Sequence, residues 1–320
     1  MPQDSPKISV VIPTHNSSLY IERCLQSVVN QSLKDNEILV VDDQSSDDTL
    51  EKLTAYADRH PRFKLLHTKK PIMAGGARNL GLEIATGQYV SFIDSDDWID
   101  TDFLFCLVAA IEEANADIAV CGVKREYPNA KDSTVRYKYN TSKIIDGKFA
   151  LLLLSRMVDQ DVSISAIVCN KLFRSRFIAN HQLWFFENRL NEGDIFIFNA
   201  FFEADVVAIT NKTNYHIFQR RNSVSSNFEK KHVDDWFFAF QEIRKLLTRK
   251  KSFQQYKQHY YAFFEKCLTY VIETMRLSEQ DDRKINDYLK YAYSLSEEAI
   301  SMAEFIDYCG SRRLERFFLS

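Results

Sequence analysis

The sequence predicts an α/β fold: a mostly parallel sheet with helices on both faces, followed by an all-helical C-terminal domain. Three observations carry this. Residues 8 to 121 alternate short β-branched runs with amphipathic helical patterns. All six prolines lie at or before Pro128, so nothing beyond it interrupts long helices. Four of the eight glycines, Gly75, Gly76, Gly81 and Gly87, fall within thirteen positions, so backbone freedom is concentrated in one place.

The elements follow in order. Ile8 to Ile12 reads as a buried strand, and Ser17 or Ser18 can cap a helix with Tyr20, Ile21, Cys24, Leu25 and Val28 on one face. Glu37 to Val41 is a second strand, and Ser46, Asp47 and Asp48 open a helix carrying Leu50, Leu53 and Ala57. Phe63 to Leu66 is a third strand, Gly76 to Ala85 a helix, Tyr89 to Ile93 a fourth strand, Phe103 to Ala114 a helix and Asp117 to Cys121 a strand. Strands joined by crossovers of this length form βαβ units, hence a parallel sheet. Lys124 to Lys143 is basic, six cations facing two acids, and reads as an exposed hairpin or loop, or as a surface for an anionic lipid. Apolar helix resumes at Phe149 to Met157, and strand-like text recurs at Val206 to Thr210 and Tyr215 to Gln219. Beyond Asn227 the pattern is helical, with faces through Val233 to Leu247, Tyr256 to Thr274 and Ile285 to Ala292.

Composition excludes several classes. A net charge of −3 gives no bulk attraction to nucleic acid. The longest apolar run, Phe103 to Ile111, is about half a membrane span, and Met1 to Lys7 lacks the apolar core of a signal peptide. Six scattered cysteines with no C-x-x-C pair fit reduced thiols of a cytoplasmic protein rather than a disulfide framework or a zinc site.

Chemistry is expected where the parallel strands end. Pro13, Thr14, His15 and Asn16 follow the first strand, Asp42 and Asp43 the second, and Asp94, Ser95, Asp96 and Asp97 the fourth. Five carboxylates on one rim repel one another, so a cation is implied, and hard oxygens without His or Cys favour Mg²⁺ or Mn²⁺. Helix capping alone accounts for acids at Asp47 and Asp48, and Asp42 divides evenly between capping and function; the 94–97 cluster exceeds what a cap needs. Gly75 to Gly81 opens a helix in which small residues allow close approach to a phosphate, with Arg78 as a permanent charge. It matches neither the dinucleotide fingerprint nor the P-loop.

These segments, Ile8 to Asn16, Glu37 to Thr49, Gly75 to Gly81 and Gln88 to Trp98, together resemble the family 2 inverting glycosyltransferases with their Rossmann-like GT-A fold. A weaker likeness continues through Asn170 to Arg174, Asn191 to Asp194 and Tyr215 to Ser223. The resemblance implies a nucleotide-sugar donor, UDP-linked foremost, and a glycan or lipid-linked acceptor of capsule, lipopolysaccharide or exopolysaccharide type. It implies nucleotide contacts at Pro13, Thr14, Asn16, Asp42, Asp43, Arg78, Asp94 and Asp96, with Asp43 facing a uracil-like ring. Asp96 and Asp97 would hold Mn²⁺ or Mg²⁺, and Asp194, then Glu192, would be the general base. His216, Arg220, Arg221 and Ser223 would lie near the diphosphate or acceptor. The sequence departs from the family at His15, which replaces the usual Tyr, and at Gly193, which replaces the usual Glu.

The expected domains are residues 1–228 (nucleotide-sugar half 1–123, acceptor half 124–228) and a helical domain 229–320. The tail, Arg312 to Leu319, mixes cations with bulky apolar groups and would dock on that domain or touch the inner face of the membrane; the aromatic helix faces would pack internally or form a homodimer. A receiver-type signalling domain also gathers carboxylates at strand ends but wants a Lys at a later strand end, which is missing here. A nucleotide-binding protein that has lost catalysis is the third reading, motivated by Gly193.

Overall fold

A computed structural model describes residues 6–129, 132–155, 163–220 and 230–278 and the single positions 283, 287 and 291. The chain divides into two compact units, one of residues 1–150 and 164–220, the other of 151–163 and 221–320.

In the first unit β1 (Ile8–Thr14), α1 (Ile21–Val29), β2 (Asn36–Asp42), α2 (Thr49–Ala57), β3 (Phe63–His67), α3 (Met73–Ile84) and β4 (Tyr89–Phe92) follow one another. Then come β5 (Trp98–Ile99), α4 (Phe103–Glu113), β6 (Ile118–Val120), β7 (Val123–Glu126), β8 (Thr134–Tyr137) and β9 (Lys143–Ile145). The chain continues through α5 (Gly147–Ser155), whose residues from Leu151 on belong to the second unit, and then, again in the first, β10 (Lys171–Arg174), α6 (Ser175–Asn180), α7 (Glu192–Glu203), β11 (Val207–Ile209) and β12 (Tyr215–Phe218).

The main sheet has the order β3-β2-β1-β4-β10-β6-β11-β9. β1 is central and wholly buried, as its run Ile-Ser-Val-Val-Ile requires, and pairs in parallel with β2 and β4. Each Val or Ile buried there stabilises the unit by about 1.5–3 kcal/mol. The sheet is mostly parallel, as expected, but β10 runs antiparallel between β4 and β6, and β9 antiparallel to β11. The sequence reading lacked β10 because a four-residue run with a cation at each end does not read as a central strand. Its buried Lys171 is satisfied by the carbonyls of Ser165 and Ile167, and Arg174 by that of Ala116. Residues 124–143 supply a β7–β8 hairpin, which joins β12 and β5 in a second sheet of order β5-β12-β7-β8.

Helix caps differ from expectation. Neither Ser17 nor Ser18 caps α1 with its side chain; the Ser17 carbonyl accepts from Tyr20 and Ile21 N–H instead. Asp47 Oδ1 accepts the Thr49 N–H at the start of α2.

In the second unit α8 (Lys230–Arg249) packs on α9 (Phe253–Ser278) through Trp236, Phe240, Tyr260 and Phe264. Phe240 meets Phe264 edge-on at 4.9 Å, and the Tyr260 hydroxyl donates to the Phe240 carbonyl at 3.2 Å. The expected helix face from Ile285 to Ala292 and the tail from Arg312 to Leu319 lie outside the described residues. Among the described residues no helix is long and apolar enough to cross a membrane, and the described cysteines are free thiols.

Candidate active site

The carboxyl ends of β1, β2 and β4 converge on one rim. At the end of β1, Thr14 is buried and its carbonyl accepts the Asp43 N–H at 2.8 Å, while Pro13 pairs with Val41. His15 Nδ1 donates to the Asp43 carbonyl at 2.6 Å and its Nε2 accepts from Asn16 Nδ2 at 3.1 Å, so the histidine is locked to its neighbours. Asn16, at a left-handed φ of 45°, binds Ser45 Oγ through its N–H and accepts from the Ser46 N–H.

Asp42 and Asp43 part ways. The Asp42 carboxylate is fully buried; its Oδ2 accepts from His67 Nδ1 at 2.8 Å, while Oδ1 has no hydrogen-bond partner. Asp43 accepts the Thr68 hydroxyl at 2.8 Å and the Ile72 and Met73 N–H groups at 3.0 and 2.7 Å. It therefore supplies, from thirty residues upstream, the anion that the N-terminus of α3 attracts. The helix start that the glycine cluster was expected to offer a phosphate is filled by the protein's own carboxylate. Gly75 instead lets another segment approach: a Cβ there would collide with the Phe186 carbonyl and stand 3.0 Å from Glu192 Cγ.

Arg78 lies deeper in α3. Its Nη2 donates to Asp94 Oδ1 at 2.7 Å, its Nη1 to Glu192 Oε1, and its guanidinium stands 5.3 Å from the Phe185 ring centroid. Burial acts to lower its pKa, but the charges of Asp94 and Glu192 outweigh that and raise it well above the ordinary value.

The 94–97 turn carries three differently placed carboxylates. Asp94 is one-third exposed. Asp96 pairs with Arg220 Nε at 3.2 Å, and its carbonyl accepts from Arg23 Nη2 at 3.0 Å. Asp97 is buried, its Oδ2 accepting the Tyr215 hydroxyl at 2.7 Å and its Oδ1 the Phe218 N–H at 2.9 Å. Burial first, then the charge of Asp94, raises the Asp96 pKa, against Arg220. Burial and the charges of Asp96 and Asp94 raise that of Asp97 further.

Residues 9–178, just over half of the chain, match the sequence model described as Glycosyl transferase family 2. The chain belongs to that family. Among curated relatives, EpsH of Bacillus subtilis is 26% identical over 81% of this chain and 74% of its own length. The GalNAc(5)-diNAcBac-PP-undecaprenol beta-1,3-glucosyltransferase of Campylobacter jejuni is 30% identical over 67% of this chain and 71% of its own. In structure the chain is similar to S. aureus TarS 1-349 in complex with UDP-GlcNAc, with a TM-score of 0.74 at 20% identity, covering 92% of this chain and 82% of that one. The likeness is one of GT-A fold.

Within this family 2 glycosyltransferase, the two candidate bases differ in surroundings. Both lie in the first turn of α7, which starts at Glu192 and has Asn191, at a left-handed φ of 58°, as its cap. Glu192 is committed to Arg78, whereas Asp194 is partly buried with its N–H on the Asn191 carbonyl. Gly193 has a packing reason, since a Cβ there would stand 3.1 Å from Val168 Cγ2. That neighbouring segment, 165–168, is held by the buried Lys171.

His216 was expected near the diphosphate or acceptor, but it is buried in the second sheet. Its Nδ1 meets Glu126 Oε1 at 2.7 Å, its Nε2 meets Asp100 Oδ1 at 3.0 Å, and its ring stacks on Trp98. Burial opposes charge on Glu126, but hydrogen bonds from Ser133 and His216 prevail and lower its pKa. Arg221 and Ser223 lie outside the described residues. Sequence reasoning missed Tyr215, Glu126, Asp100 and Arg23. The strand-like run from Tyr215 was visible, but nothing in it named the partner of Asp97.

A divalent cation between carboxylates and a diphosphate takes one or two carboxylates and otherwise phosphate and water oxygens. Among the described residues no group of three His, Cys, Asp or Glu side chains could hold a metal ion unaided. Asp94 and Asp96, with side chains 36% and 20% exposed, fit the smaller role. Asp97 does not fit the ligand role expected of it, because both its oxygens are already accepting and it is 3% exposed.

Proposed function

We propose that this glycosyltransferase takes its sugar from a nucleoside diphosphate, UDP foremost, and transfers it with inversion to a hydroxyl of a glycan or lipid-linked acceptor in surface-polysaccharide synthesis at the cytoplasmic face of the membrane. The observation that carries the reading is the rim itself: Thr14 to Asn16, Asp42, Asp43 and Asp94 to Asp97 stand at the ends of three adjacent parallel strands, with Arg220 on Asp96. The undecaprenol-linked acceptor in the name of the Campylobacter relative supports the acceptor class.

In this reading the β1 and β2 ends receive the nucleoside and the 94–97 turn the diphosphate. Mn²⁺ or Mg²⁺ held by Asp96 and Asp94 would stabilise charge on the leaving diphosphate. Asp194 accepts the proton of the acceptor hydroxyl as its oxygen bonds to the anomeric carbon and the bond from that carbon to the phosphate oxygen breaks. The nucleoside diphosphate departs with the bonding pair, and Arg220, released from Asp96, balances it. One displacement inverts the centre and needs no protein nucleophile. Arg78 organises rather than reacts, tying Asp94 at the end of β4 to Glu192 at the start of α7.

The test is a nucleotide-sugar panel with and without Mn²⁺, following thermal stabilisation and nucleoside diphosphate release together. UDP-sugar turnover that needs a divalent cation is expected. Turnover of GDP- or CMP-sugars alone overturns the UDP assignment, and cation independence removes the role given to Asp96 and Asp94.

A further inference from the structure

We propose that Arg23, in the first turn of α1, is a positioning residue that holds the Asp96 turn in place for the donor diphosphate, an inference that rests on the donor-site reading above. The guanidinium lies in the corner formed by two tilted rings, 3.8 Å from the Trp98 centroid and 4.4 Å from that of Phe218, the two centroids being 6.2 Å apart with 49° between planes. From that corner its Nη2 donates to the Asp96 carbonyl at 3.0 Å.

The column extends further. Trp98 lies nearly parallel to the His216 ring, 5.1 Å away with 14° between planes, and His216 is tied to Glu126 and Asp100. On the other side Phe218 packs on Tyr20 at 5.6 Å, and its N–H holds Asp97. Residues 96 to 98 are thereby bonded through backbone, carboxylate and ring to α1 and β12, the strand that leads to Arg220.

As a stability device Arg23 is a poor choice. A cation in the first turn opposes the helix dipole, and Arg23 Nε is buried without a hydrogen-bond partner. Burial lowers its pKa from the ordinary value, with Asp97 and Asp96 opposing. A Met or Leu would fill the same corner without desolvating a charge. What only the arginine supplies is a flat cation that packs against two rings while a terminal nitrogen anchors a backbone carbonyl. The anchored carbonyl belongs to the residue whose carboxylate, 20% exposed, pairs with Arg220.

The experiment compares full-length wild type with Arg23→Met, Arg23→Lys and, as a reference, Asp96→Asn. Donor and acceptor KM, Mn²⁺ half-saturation, calorimetric UDP binding and melting temperature are measured. Arg23→Met is expected to raise donor KM and Mn²⁺ half-saturation about tenfold, with acceptor KM unchanged and melting temperature within about 3 °C. Arg23→Lys, lacking the plane, is expected not to rescue. Donor KM and Mn²⁺ half-saturation near wild type in Arg23→Met overturn the proposal, as does a lysine variant equal to wild type. Donor and acceptor KM rising together with a lowered melting temperature also overturn it, by making the role structural. A wild type that neither binds nor turns over any nucleotide in the panel overturns the donor-site reading and this inference with it, and does so before any variant is compared.

Discussion

Arg78 donates to Glu192 across 114 residues of sequence, and through its other terminal nitrogen to Asp94 at 2.7 Å. The Arg78 and Glu192 side chains are only 7% and 12% exposed. One guanidinium thus ties the end of β4 to the first turn of α7. The bridge fixes the distance between the turn assigned to the diphosphate and the helix assigned to the base, and it occupies Glu192.

Removing Glu192 leaves a buried cation with one counter-charge in place of two. Losing one partner of a buried pair typically costs 3–5 kcal/mol; with Asp94 retained, Glu192→Ala is expected to destabilise by about 2–3 kcal/mol. Glu192→Gln keeps an acceptor for Arg78 and is expected to lose about half of that. Chemical denaturation of the three proteins checks the order. A Glu192→Ala protein as stable as wild type would show that the bridge contributes no net stability.

Asp194 should behave in the opposite way. Asp194→Asn keeps the size of the side chain and an oxygen that accepts hydrogen bonds but removes the proton acceptor, so nucleoside diphosphate binding and melting temperature are expected to stay near wild type while turnover falls by about 10²–10⁴-fold. Single-turnover transfer measured beside calorimetric UDP binding separates the two. A Glu192→Gln protein as inactive as Asp194→Asn, with its fold intact, would transfer the base assignment to Glu192.

What could be read in advance, and what could not, divides along sequence distance. Asp42, Asp43 and Asp94 to Asp97 were legible because each directly follows a β-branched run, and local order alone puts them on one rim. Their individual tasks were not. Asp97 is spent on Tyr215 and Phe218, 118 and 121 residues later, and a strand-end acid of this kind looks the same in sequence as one facing a cation. Asp43 likewise binds backbone N–H groups at Ile72 and Met73, which carry no side-chain signature. The parallel core was legible from periodicity, whereas β10 was not, because buried Lys171 and Arg174 are made tolerable by carbonyls that only the tertiary fold supplies.

Acid stability should report the joint between the β1 and β2 loops. Asp47 accepts the Thr49 and Ser18 N–H groups, each at 3.1 Å, and the Thr49 hydroxyl. Its slight burial disfavours the charge, but the hydrogen bonds from Thr49 and Ser18 prevail and bring its pKa down to about 2. A carboxyl whose folded pKa is depressed stabilises above its unfolded pKa, near 3.9, and loses that contribution as pH falls through the folded value. The window is therefore about pH 4 down to 2. The group is exposed, so solvent screening limits the contribution to about 1 kcal/mol. Asp47→Asn is expected to flatten the stability-versus-pH curve in that window, with the two proteins converging below it. A constant offset at all pH values would assign the effect to packing instead.

Gly81 tests how tightly α3 is laid on the sheet. It sits inside the helix, where glycine is about 1 kcal/mol worse than alanine, so exposed-helix reasoning predicts that Gly81→Ala stabilises. At this position a Cβ would run into Val11 Cγ1 and stand 3.0 Å from its Cγ2, and Val11 is fully buried in the central strand. Overpacking of that kind costs about 1–3 kcal/mol, which exceeds the helix gain. The net expectation is a loss of about 1–2 kcal/mol and, because the same helix carries Arg78, a rise in donor KM larger than any change in acceptor KM. The double variant Val11→Ala with Gly81→Ala relieves the collision, so in a double-mutant cycle the pair is expected to be less destabilised than the sum of the singles. Additive losses would mean that α3 does not depend on this contact for its distance from β1.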